Sequence, residues 1–335
     1  MFSRILVPLD GSLRAERSLP VAARLARSGG ATVVLARIIG LPIPFGPDPS
    51  PLSDVEVAMS NERETVTRYL EEVARRPELV GVTTQIEVAV AAAVAPALLD
   101  LVQSAHADLV VICSHGHTGF TRWRLGSVAQ KIARQATVPT LVLRAEGPNL
   151  VDNSAGSLSP ISALAPLDGS PEAETALEPT AQLIAALAAP ARGALHLLHV
   201  VQMDDAPHAS GAGHSNQDAL RPEAEQYLRV VMERFQRAPL AAIPLDVASS
   251  VVFDPDVAAA ILDQSAKGYD MIAMASHGRS GLQLWMMRSV TERVLQTSDF
   301  PLLIVRPQSA ALAQQTPDAV AKGAIGDEVS GWPGY

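Results

Sequence analysis

The chain carries one pair of signatures twice. Ile5-Leu6-Val7-Pro8-Leu9-Asp10-Gly11-Ser12 returns as Ala163-Leu164-Ala165-Pro166-Leu167-Asp168-Gly169-Ser170. Ile112-Cys113-Ser114-His115-Gly116-His117-Thr118-Gly119 returns as Met274-Ala275-Ser276-His277-Gly278-Arg279-Ser280-Gly281. Asp10 and Asp168 are 158 residues apart, while His115 and His277, like Pro139 and Pro301, are 162 apart. Matched segments at a near-constant offset mean one unit in tandem, so whatever fold the first unit adopts the second adopts too. The expected division is a first domain over 1–145, a linker over 146–160, a second domain over 161–307 and a disordered tail over 308–335, rich in Ala, Gln and Gly.

Each unit alternates short apolar runs with helical patterns. Strands are expected near 4–9, 31–39, 83–90, 108–113 and 138–144, with helices near 12–28, 54–76, 94–106 and 127–136. In the second unit the strands fall near 162–167, 193–202, 244–251, 270–275 and 301–306. Continuous apolar runs such as Leu109–Ile112 suit strands buried on both faces, and right-handed crossovers then give an α/β fold with a parallel sheet covered by helices. Leu41–Ser53, with five prolines, and Met203–Asn216, rich in small residues, are expected as surface loops. His196 and His199 lie three apart on one strand, so they point to opposite faces and do not share a metal.

Charge and cysteine narrow the function. The net charge is -9, but Met1–Ala145 holds 15 Lys+Arg against 13 Asp+Glu, leaving 11 against 22 for the rest. An acidic chain is not a general nucleic-acid binder, and its first half is the better host for an anion. The one cysteine, Cys113, excludes an intrachain disulfide and points to a reducing, cytoplasmic setting. No signal peptide is expected before the first strand, and the most apolar later stretch, Ala181–Val201, is broken by Pro190 and Arg192, so no membrane span is expected.

The candidate site is the strand, glycine-bearing loop and helix start from Asp108 to Lys131. Glycines let backbone N–H groups approach an oxyanion, and a helix N-terminus favours negative charge. Ser127 is expected as the helix cap. A bland reading has these glycines only terminating the strand; their return in the second unit favours an anion site. Asp10 and Cys113-Ser114 both lie at C-terminal strand ends and meet if the first and fourth strands are neighbours. One end then offers a carboxylate for an adenine amine or ribose hydroxyl, the other amides for phosphates.

On these residues both units resemble the universal stress protein family, over about 2–145 and 161–307. The resemblance implies two flavodoxin-like, adenine-nucleotide alpha hydrolase-like domains, each a five-stranded parallel sheet of order 3-2-1-4-5 with helices on both faces. Its ATP-binding members carry Gly-x2-Gly-x9-Gly-Ser/Thr after the fourth strand and an Asp after the first. The first unit reads Cys113-x2-Gly116-x9-Gly126-Ser127 with Asp10; the second reads Ala275-x2-Gly278-x9-Arg288-Ser289 with Asp168. Arg288 puts a bulky cation where backbone should meet phosphate, so the first unit is the better ATP site. The implied nucleotide contacts there are Pro8, Asp10, Gly11, Ser12, Ile38, Cys113, Ser114, His115, Gly116, His117, Gly126, Ser127 and Val128. Asp168, Val200, Gly278 and Ser289 are the second unit's candidates. Mg2+ would accompany ATP, although no carboxylate cluster announces a dedicated site.

No Walker A, Gly-x-Gly-x-x-Gly or Gly-x-Ser-x-Gly motif is present. The resemblance therefore implies an ATP-binding stress-response regulator, with two alternatives: a weak ATPase using His115 or His117, or a non-binding scaffold acting through protein contacts. The family's pairing through fifth strands would join Val138–Arg144 to Leu302–Arg306 as an intrachain pseudo-dimer, with a homodimer of chains also open.

Overall fold

The computed structural model describes residues 1–41, 52–114, 125–144, 147–151, 160–203, 212–237, 239–276 and 290–307. The first half runs β1 (Arg4–Pro8), α1 (Leu13–Glu16), α2 (Ser18–Gly29), β2 (Thr32–Gly40), α3 (Leu52–Ala74), β3 (Thr83–Ala91), α4 (Val94–Ser104), β4 (Leu109–Cys113), α5 (Ser127–Gln135) and β5 (Thr140–Leu143). The second repeats it as β6 (Ser162–Leu167), α6 (Pro171–Glu174), α7 (Leu177–Ala188), β7 (Gly193–Gln202), α8 (Ala212–Arg234), β8 (Leu245–Asp254), α9 (Val257–Ser265), β9 (Met271–Ala275), α10 (Val290–Thr297) and β10 (Leu302–Val305).

The ten strands form one sheet, ordered β3-β2-β1-β4-β5-β10-β9-β6-β7-β8. Within each half the order is 3-2-1-4-5 and every pairing is parallel. The two five-stranded sheets are thus not separate: β10 pairs antiparallel with β5, Leu303 opposite Leu141, and removes both central edges. The central strands β1, β4, β5, β9 and β10 are buried on both faces and almost wholly apolar, while the edge strands β3 and β8 are partly exposed and carry polar residues such as Gln85, Glu87, Asp246 and Ser249. Ile5, Val7 and Leu35 pack with α2 and α7 residues such as Leu19, Leu25 and Leu183; Leu6 and Val110 pack on the other face with Leu98, Ile132, Ile261 and Val294 of α4, α5, α9 and α10.

Equivalent residues meet across the seam. Gln130 of α5 donates from Nε2 to Oε1 of Glu292 of α10 at 2.8 Å, and these positions are 162 apart in sequence. Arg144 Nη2 donates to Leu295 O (2.6 Å) and Nε to Phe300 O (3.3 Å); its equivalent Arg306 donates from Nη1 to Gln135 O (3.1 Å). Each arginine therefore satisfies one carbonyl near the C-terminal end of the other half's helix, Leu295 O or Gln135 O, where cations are favoured. Arg144 is buried, and desolvation lowers its pKa to about 10, which leaves it charged at neutral pH. Gly147 permits this approach: a Cβ there would lie 2.3 Å from the backbone oxygen of Asp299.

Three expectations are corrected. The helix over 12–28 is two, because Arg17 N–H turns to Arg14 O and Ala15 O instead of continuing the helical ladder, and the buried Ser18 hydroxyl donates to Ala15 O. The loops end earlier than composition suggests, α3 starting at Leu52 and α8 at Ala212, since both helices extend past their apolar stretches. Ser127 is the first helical residue rather than the cap, which is Gly126. His196 and His199 do face different partners, Ser250 Oγ and Leu167 O, both at 2.8 Å. The tail beyond 307 and most of the linker lie outside the described residues.

Candidate functional site

Parallel pairing of β1 with β4 (Ile5 opposite Leu109) brings their C-terminal ends side by side, which is the condition the sequence left open. At the end of β1, Asp10 Oδ1 accepts from Ser12 N–H (3.0 Å) and Ser12 Oγ (2.6 Å). Ser12 then caps α1, accepting from Ala15 N–H at 3.2 Å. Gly11 bridges the two with φ +82°, a left-handed conformation costly to other residues, and a Cβ there would meet Arg37 Nη1 at 2.6 Å. The loop is therefore a local turn that fixes the Asp10 carboxylate. The second half reproduces it: Asp168 Oδ1 accepts from Ser170 N–H (3.0 Å) and Oγ (2.5 Å) around Gly169 at φ +83°.

Ile38 lies on β2 two residues beyond Ala36, whose carbonyl accepts from Leu9 N–H at 2.8 Å. The alternation of a parallel strand turns the Ile38 N–H and C=O to the same side, past the last paired residue of β1. Pro8 is that last residue and is buried. Val200 holds the corresponding place on β7, and both side chains pack into the layer shared with α4, α5, α9 and α10.

Cys113 and Ser114 are buried at the end of β4, where Ser114 N–H donates to Leu143 O (2.7 Å). Gly126 N–H donates to Ser114 O (2.7 Å), pinning the start of α5 to that strand end. Gly126 is extended (φ −60°, ψ 145°) and offers no side-chain cap. The first amides of α5, from Ser127, Val128 and Ala129, consequently make no hydrogen bond among the described residues. Three such donors at a helix start, with an exposed serine hydroxyl beside them, suit an anion. Sequence reading assigned phosphate contact to Gly126 itself; here its amide is spent on Ser114, and Ala129 supplies a donor not foreseen. His115, Gly116 and His117, with Gly278, Arg288 and Ser289, lie outside the described residues.

A cluster that sequence reading missed stiffens this end. Buried Glu16 of α1 accepts from Tyr69 Oη (2.9 Å) through Oε1 and from Arg76 Nη1 (2.6 Å) through Oε2, tying α1 to α3. Arg37 stands 5.7 Å from the Tyr69 ring centroid, a cation against a π face. Burial, then the Glu16 carboxylate, raises the Tyr69 pKa above its usual range. Glu174, Tyr227 and Arg234 recur at an offset of 158, and His199 replaces Arg37 at an offset of 162. The shared offset of 158 was the signal available for the first three. Among the described residues no group of three or more His, Cys, Asp or Glu could hold a metal ion, and no helix is long and apolar enough to cross a membrane.

A family model described as the universal stress protein family matches residues 1–144 and again 162–306. The chain is 27% identical over 308 residues to a universal stress protein of Mycolicibacterium smegmatis, covering 91% of this chain and 97% of that one. A universal stress protein of Mycobacterium tuberculosis is likewise 27% identical over 311 residues, 90% and 96% of the two chains. Among solved structures, a universal stress protein from Archaeoglobus fulgidus superposes with a TM-score of 0.61 at 21% identity, covering 90% of this chain and 98% of its own. One from Pseudomonas aeruginosa gives 0.59 at 14%, covering 93% and 96%. These two share the fold.

Proposed function

The chain belongs to the universal stress protein family, and on that premise we propose that it is a cytosolic stress-response regulator that binds ATP in its first half. The observation that carries this reading is the uncapped start of α5, whose Ser127, Val128 and Ala129 amides lie beside the ends of β1 and β4. Asp10 takes the ribose or base at the other side of that junction, and the Ile38 backbone closes on the adenine edge. Phosphates settle on the α5 amides and the Ser127 hydroxyl. Mg2+ would accompany the triphosphate. Binding is the activity this reading assigns, with a weak ATPase using His115 or His117 as the alternative.

Calorimetric titration of nucleotide-free protein with Mg-ATP tests the reading. One strong site per chain, lost in Gly126→Arg, is the expected result. The arginine side chain would enter the cradle while its extended backbone remains allowed. No binding by the intact protein overturns the proposal in favour of a scaffold acting through protein contacts, and phosphate release above background would indicate an ATPase.

A further inference from the structure

Pro20, Arg24, Arg27 and Ser28 stand at helical spacing, so they form one stripe of α2. That stripe meets the C-terminal end of α7. Arg24 donates from Nε to Leu187 O (2.5 Å) and from Nη2 to Ala189 O (3.0 Å), supplying donors to carbonyls that end α7. Arg27 donates from Nη2 to the carbonyls of Glu78 and Val80, and from Nε to Val80 O (3.4 Å). Between these anchors lies a cavity of about 430 Å³, within the size range of small-molecule sites. It is remote from the first half's candidate nucleotide site, because α2 ends beside Phe2 at the start of β1 whereas Asp10 follows the end of that strand.

The polar groups around this cavity are incompletely used. Both guanidiniums bond through Nε and Nη2 and keep Nη1 unpaired among the described residues. Glu78 lines the same cavity, and its Oε2 is buried without a hydrogen-bond partner. A buried carboxylate oxygen that lacks a donor is costly, so its presence here needs a reason. A simple anion would satisfy the arginines and be repelled by Glu78. A simple amine would satisfy Glu78 and be repelled by the arginines. A zwitterion meets all three, and Pro20, Val151, Ala186 and Pro190 give its body an apolar floor. In the second half the positions of Arg24, Arg27 and Ser28 hold Gln182, Ala185 and Ala186, at the offset of 158, so the arrangement is made once per chain.

We propose that this cavity binds a free aliphatic α-amino acid, with its carboxylate on Arg24 and Arg27 and its ammonium on Glu78, and that occupancy fastens α2 to α7. The site needs nothing from the nucleotide reading above. Because its walls come from both halves, the ligand adds contacts across the same junction that Arg24 already bridges, and amino-acid concentration is read as the stability of the seam.

The test titrates the full chain with L-leucine, with isocaproate, which lacks the ammonium, and with isoamylamine, which lacks the carboxylate. Calorimetry and thermal melting are the readouts. Leucine is expected to bind at one site per chain and to raise the melting temperature. Each analogue is expected to bind about tenfold more weakly or worse, for want of one set of charged hydrogen bonds. Glu78→Gln and Arg27→Met should each weaken leucine by about tenfold, and Glu78→Gln should bring leucine and isocaproate to within about threefold of each other. Asp152, which follows Val151 and lies outside the described residues, supplies the control: Asp152→Asn should change leucine affinity by less than about twofold. A larger loss there would take the ammonium away from Glu78 and overturn the assignment. So would equal affinities for leucine and isocaproate in the intact protein, unchanged leucine binding in Glu78→Gln, or no saturable leucine binding up to about 10 mM. Should Glu78→Gln lower the melt of the ligand-free protein, the three ligands compared on the intact chain still decide.

Discussion

Replacing Arg144 by methionine separates hydrogen bonding from packing at the seam. Methionine keeps most of the buried stem but leaves the Leu295 and Phe300 carbonyls without their donor. The 2.6 Å bond from Nη2 is charge-assisted and worth about 1.5–3 kcal/mol, and the 3.3 Å bond from Nε adds about 0.5–1 kcal/mol. Relief of the desolvated guanidinium returns part of this, because a buried charge costs free energy to keep. The expected net loss is about 1–3 kcal/mol. Arg75→Met, in an exposed pair with Glu71, is the control and should cost less than about 0.5 kcal/mol. Urea unfolding followed by circular dichroism measures both. Because the lost bonds join the halves, Arg144→Met should also broaden or split the transition as the halves unfold apart. Equal midpoints for Arg144→Met and Arg75→Met would refute the claim that this arginine holds the seam.

Two further outcomes follow from equivalent positions that differ. His196 occupies the place of the fully buried Val34, and burial lowers its pKa. A histidine depressed in the folded state favours the neutral form, so its contribution is complete above the unfolded pKa and is lost as pH falls from about 6.5. The melting temperature should drop between about pH 7.5 and 5.5 and drop less in His196→Val; equal slopes would rule this out. Tyr69 donates to Glu16 at 2.9 Å, whereas the Tyr227 hydroxyl lies near Glu174 without a well-formed hydrogen bond among the described residues, so Tyr69→Phe should cost about 1–2 kcal/mol and Tyr227→Phe under about 0.5 kcal/mol by urea unfolding. Similar losses at both sites would contradict that asymmetry.

The sequence by itself determined the tandem architecture, the strand runs and the strand ends at which the candidate site lies. Those features follow from local patterning: apolar runs such as Leu109–Ile112 demand burial on both faces, and Asp10-Gly11-Ser12 can close only as a turn with a left-handed glycine. Repetition doubled each signal. The break at Arg17 and the early start of α8 were not legible, because polar faces and a buried serine hydroxyl carry no apolar period. Only the tertiary structure decided that the Gly126 amide is spent on Ser114 O, leaving Ser127, Val128 and Ala129 as the donors. The same holds for the Glu16–Tyr69–Arg76 cluster. Such contacts join residues a dozen or more positions apart, and their partners are chosen by how helices lie on the sheet, which periodicity does not encode.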